Sequence, residues 1–122
     1  MADVSDEMMR TRIAQAAPYT LVLLRKAPDF DAQQAFPIIW EHGRRNMSLQ
    51  LDGIMPIICP IRDDSSMAGA AILTVGLDRA RELLDADPGV RAGIFTYELH
   101  ACTSFPGSVL PPPATPEPEF PR

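Results

Sequence analysis

Tyr19-Thr-Leu-Val-Leu-Leu-Arg-Lys26 and Ala68-Gly-Ala-Ala-Ile-Leu-Thr-Val75 decide how this chain folds. Each stretch is apolar on both strand parities. A strand with one wet face alternates apolar and polar residues, so a run without alternation marks a strand covered on both faces. The chain therefore contains two central strands. Two further segments read as their neighbours. Residues 54–61 are apolar but carry Pro56 and Pro60. Proline lacks the amide hydrogen a central strand must donate, so this strand belongs at an edge. Residues 92–102 alternate, with Phe95, Tyr97 and Leu99 on one side and Thr96, Glu98 and His100 on the other. That pattern suits the opposite edge.

The segments between the strands read as helices or loops. Residues 31–51 have helical periodicity, with Phe36, Trp40, Met47 and Leu51 on one face, which is expected to be the core face. Asp52-Gly53 supplies the stop, and Pro37 marks a second start or a kink near the N-terminal end. Residues 62–67 form a polar loop. Asp78 is expected to cap a short helix with Ala80, Leu83 and Leu84 inward. Asp87-Pro88-Gly89 reads as a turn with Pro and Gly in type II positions. The order is β-α-β-β-α-β, the ferredoxin-like α+β pattern. Right-handed crossovers put strands one and three in the middle and two and four at the edges. The apolar patterning demands the same arrangement, independently.

Two extensions flank this domain of residues 19–103. Residues 1–18 read as an N-terminal helix capped by Ser5, with Met9, Ile13 and Ala17 as a narrow apolar stripe and Pro18 as its end. Residues 104–122 form a tail in which Pro111, Pro112, Pro113, Pro116, Pro118 and Pro121 exclude both sheet and helix. The tail is expected to be pinned to about Leu110 and extended beyond it.

Composition narrows the function. The chain has 122 residues, enough for one core and hardly two, and a net charge of −5. An acidic chain is a poor partner for phosphate backbones or anionic lipid. No apolar run spans a bilayer, and residues 1–7 lack the basic and apolar regions of a signal peptide, so a cytoplasmic protein is expected. Cys59 and Cys102 form no C-x-x-C pair, and a reducing compartment disfavours a disulfide between them. Neither G-x-G-x-x-G nor a P-loop is present, which leaves a nucleotide cofactor without support.

His42 is the residue of most chemical interest. On the helix it lies away from the Phe36–Trp40–Met47–Leu51 stripe and shares a second face with Ile38, Arg45 and Leu49. Aliphatics around a histidine on a second face imply a second covered surface, either a cleft or a subunit contact. Imidazole moves protons both ways near neutral pH. A carboxylate beside it would fix its tautomer, and Asp87 could supply one. The bland alternatives are an exposed helix histidine and an ordinary turn aspartate. Glu98, His100 and Cys102 share a strand face and are of types that bind zinc. Neighbours there are roughly 7 Å apart, twice the strand rise, which is wide for one ion. Polar lining or an edge contact is the preferred reading, and no metal is expected.

The segment Asp85-Ala-Asp-Pro-Gly-Val-Arg-Ala-Gly-Ile-Phe95 resembles the D-P-x-x-x-A-G stretch of the YCII-related family, a branch of the dimeric α+β barrel proteins. His42 also stands at that family's usual distance before the helix-ending turn, and Ile58-Cys59-Pro60 resembles its G-P site, with Cys59 in place of the glycine. The resemblance implies a homodimer whose sheets pack face to face, and a cleft holding His42 and Asp87 as an acid–base pair. It also implies activities similar to those of small lyases and isomerases acting on oxidised aromatic intermediates, without cofactor. Two other readings remain open. One is a non-catalytic dimeric module that binds a small molecule or a protein. The other, by analogy with other dimeric α+β barrels, is a haem-handling protein or a cofactor-independent monooxygenase.

Overall fold

The computed structural model describes residues 1–114. The elements run α1 (Asp6–Ala14), β1 (Ala17–Lys26), α2 (Phe36–Leu51), β2 (Ile57–Pro60), β3 (Met67–Leu73), α3 (Leu77–Asp85), α4 (Pro88–Arg91) and β4 (Phe95–Ser104). The four strands form one antiparallel sheet in the order β2-β3-β1-β4. The fold is therefore ferredoxin-like, with the two doubly apolar strands in the middle and the Pro-broken and alternating strands at the edges.

The register explains the patterning. Across the helix-covered face, Ile58, Ala71, Val22 and Leu99 lie in one row, and Gly69, Leu24 and Tyr97 in the next. Val22, Leu24, Ala71, Leu73 and Phe95 are buried there against Leu49, Ala80, Leu83 and Leu84. On the opposite face, Ile57, Ile72, Leu21 and His100 form a row, followed by Cys59, Ala70, Leu23 and Glu98. No helix is long and apolar enough to cross a membrane among the described residues.

Several local expectations change. Helix α2 begins at Phe36 rather than Asp31, because the Asp31 carboxylate accepts from the amides of Gln33 and Gln34 and holds residues 31–35 in a separate turn. Pro37 sits in the first turn of α2, where its missing amide hydrogen costs nothing. The helix is also rotated relative to expectation. Leu49 is buried and His42 and Arg45 are partly buried, whereas Phe36, Trp40, Met47 and Leu51 are exposed. The face expected to be second is the one that meets the sheet. Gly53, at φ 75°, ends α2 as Asp52-Gly53 suggested.

Asp78 lies in the first turn of α3, not at its cap, which is Gly76. Asp87-Pro88-Gly89 is not a type II turn. Asp87 caps α4, with its Oδ2 accepting from the amides of Gly89 and Val90 at 2.9 and 3.1 Å. In α1, Ser5 does cap the helix by accepting from the Met8 amide. The apolar residues Met9 and Ile13 are exposed, however, and Pro18 lies inside β1 rather than ending α1. Residues 105–114 follow β4 without helix or strand, and Phe105 stacks against the Arg12 guanidinium. The rest of the tail, 115–122, lies outside the described residues.

Candidate functional site

The site begins at the α3–α4 corner. Asp87 follows α3, and Pro88 restricts it to extended backbone, φ −65° and ψ 135°. This conformation lets its side chain fold over the first turn of α4. One carboxylate oxygen is used by the α4 amides, and the other is left to point at α2. Gly89 is needed for this corner, because a Cβ there would collide with the Phe95 ring and lie 3.1 Å from Asp87 Oδ2. Gly93, at φ 75°, then turns the chain into β4.

Across from this corner, α2 presents His42. Its Nδ1 lies 2.8 Å from Asp87 Oδ1. The side chains are 15% and 1% exposed. Burial alone would raise the Asp87 pKa, but the His42 hydrogen bond and charge, with the Val90 and Gly89 amides, more than offset it. The Asp87 carboxyl is thus held below its ordinary range and is ionised at neutral pH. Arg45 Nη1, 4.0 Å from Oδ1, adds positive charge on the same side.

These contacts fix the tautomer. An ionised carboxylate only accepts, so neutral His42 carries its proton on Nδ1 and donates it to Asp87. Nε2 then holds the lone pair and accepts from the Asn46 amide, Nδ2 to Nε2 being 3.2 Å. Asn46 stands one turn along α2 from His42. The Phe95 ring packs on the imidazole at 5.0 Å between centroids, and Phe30 stacks on Phe95 at 5.7 Å. The imidazole is thus held at both nitrogens and on one face.

His42 and Asn46 open onto a cavity of about 230 Å³ between α2 and the sheet. Its walls come from Val22 and Leu24 on β1, Ile39 on α2, Met55 and Ile58 around β2, and Phe95 on β4. No Asp, Glu, Lys or Arg lines it. Such a space suits a compact, mostly apolar molecule, with the His42 imidazole to meet it.

Of the residues singled out by sequence, the fold brings His42 and Asp87 together. It sets Glu98, His100 and Cys102 on the other face of the sheet. There His100 Nε2 is 3.0 Å from Glu98 Oε2, and Glu98 also accepts from Arg25. Among the described residues, no three His, Cys, Asp or Glu side chains are grouped to hold a metal. Cys59 and Cys102 are free thiols. Sequence reasoning missed Asn46, although its spacing of four from His42 was a usable signal. It also placed Phe95 only on one side of the last strand, not against the imidazole.

The chain shares its fold with the solved structure of 5-chloro-2-hydroxyhydroquinone dehydrochlorinase from Burkholderia phenoliruptrix AC1100, in complex with 2,5-dihydroxybenzoquinone. The TM-score is 0.54 and the identity 19%, over 67% of this chain and 90% of that one. No protein-family model matches the chain, and no curated protein matches it in sequence.

Proposed function

We propose that this protein is a YCII-like, cofactor-independent acid–base enzyme of lyase or isomerase type, acting on a small cyclic or aromatic compound through His42 and Asp87. The observation that carries the reading is the 2.8 Å contact between a partly exposed imidazole and a buried carboxylate at the wall of an apolar cavity. With the Asn46 amide released from its lone pair, His42 Nε2 takes a proton from a carbon or hydroxyl of the ligand, Asp87 stabilises the imidazolium, and Nε2 returns the proton or passes it to a leaving group. Because the cavity offers no fixed charge of its own, the ligand is neutral on its buried side. The fold shared with a dehydrochlorinase solved with a quinone supports this substrate class.

The working unit in this reading is a homodimer. The open face of the sheet carries Leu21, Leu23, Ile57, Ala70 and Ile72, only half-covered in the single chain. A second sheet would cover them. The compartment is the cytoplasm, where Cys59 and Cys102 stay reduced.

The test is a panel of hydroxylated and halogenated hydroquinones and their quinones, read by absorbance for turnover and by calorimetry for binding. The expected result is turnover of at least one member that His42→Ala lowers by roughly a hundredfold or more. Turnover unchanged in His42→Ala would overturn the assignment. Binding without turnover would favour the second reading, a non-catalytic small-molecule module, which the apolar cavity also accommodates.

A further inference from the structure

The outward face of α2 is unusual for a helix lying on a sheet. Phe36, Trp40, Met47 and Leu51 are 58%, 59%, 57% and 88% exposed, and they line one side of the helix over about 22 Å. Together they present roughly 400–500 Å² of apolar surface, the size of patch that marks an interaction site. With the polar flanks added, it approaches the ~800 Å² per partner of a stable complex.

The large apolar residues on this face are placed symmetrically about the helix midpoint. Phe36 and Leu51 stand at equal distances from the helix midpoint, as do Trp40 and Met47, and Gly43 is at the centre. We propose that α2 packs antiparallel on α2 of a second copy across a two-fold axis. Phe36 then meets the partner's Leu51, and Trp40 meets the partner's Met47. Gly43 lets the two backbones approach at the crossing. A two-fold contact requires self-complementarity of this kind, in which each residue faces its counterpart reflected through the midpoint.

Glu41 and Arg44 lie on one side of the stripe and are 56% and 66% exposed, 3.2 Å apart within the chain. In the antiparallel pair Arg44, next to the midpoint, comes nearest the partner's Arg44, and each guanidinium keeps its own Glu41 as counter-charge. Gly43 explains itself here. A Cβ at this position meets nothing within 4 Å, so nothing inside the chain demands glycine, which costs about 1 kcal/mol in a helix interior relative to alanine. The contact also reaches the site, because Gly43 and Met47 line the cavity as well as the stripe. The second copy therefore borders the cavity mouth. This interface is separate from the open sheet face and does not depend on it.

Trp40 is the only tryptophan in the chain, so its fluorescence reports the contact directly. In the full chain, the emission of Trp40 should move to longer wavelength on dilution as the indole returns to water. Light scattering at micromolar concentration should show Gly43→Arg and Met47→Glu each with half the mass of the wild type and unchanged circular dichroism. Loss of the sheet-face pairing would lower all three masses alike and leave this ratio intact. Fully exposed Trp40 emission in the wild type at every concentration would overturn the proposal, as would equal masses for the wild type and a folded variant.

Discussion

His42 carries its proton at one ring nitrogen and its lone pair at the other, and a different partner holds each. Replacement by alanine removes the proton carrier, and with it the ring that packs on the buried Phe95 and the partner of the buried Asp87 carboxylate. His42→Ala is thus expected to keep its fold but to melt several degrees below the wild type, read by circular dichroism, while any turnover falls by roughly a hundredfold. Asp87→Asn separates two jobs of one residue. Asparagine is as good an N-cap as aspartate, so α4 stays capped. The charge beside the imidazole is lost, and any activity should fall with little change in structure. The same variant tests the linkage to pH. The folded Asp87 pKa lies below its ordinary value of 3.8. Its stabilising effect is therefore present above that value and lost as the pH falls through the lower, folded one. Urea midpoints of wild type and Asp87→Asn should differ at neutral pH, and the difference should vanish as the pH falls below about 4. A difference that persists at the acid end would contradict the assignment.

At the scale of elements, the α3–α4 corner depends on Gly89. Gly89→Ala pushes the new Cβ into the Phe95 ring, and that ring packs on His42. Overpacking of this kind costs about 1–3 kcal/mol. Thermal melts should show a loss of several degrees, and any activity should fall with it. The sequence motif pointed to this corner, but not to its form. Pro followed by Gly fits a type II turn and the start of a helix equally well. What decides is the Asp87 carboxylate, which pairs with two amides that only a helical turn presents together. Helix α2 was legible in its stop, not in its start or its orientation. Its two apolar faces compete for the sheet, and the larger residues are on the outer one. The face that wins places His42 and Arg45 beside Asp87 and buries Leu49. Side-chain size alone does not encode that pairing.

For the whole molecule, the strand order could be read because it rests on two independent constraints: crossover handedness and the burial of each strand's two faces. Tyr19 to Lys26 and Ala68 to Val75 could be central, and the Pro-bearing segment could not. The described part of the tail beyond Ser104, residues 105–114, contributes no element to this sheet. Truncation after Leu110 is expected to move the melting temperature by a few degrees at most, since Pro111, Pro112 and Pro113 are exposed. The central claim is that the fold brings His42 and Asp87 together as one acid–base unit. The most direct test is the tautomer of His42, read from ring ¹⁵N shifts at a pH where the imidazole is neutral. The proton is expected on Nδ1 in the wild type, with a shift toward the Nε2–H form in Asp87→Asn. A wild-type His42 protonated on Nε2, or identical spectra for the two proteins, would contradict it.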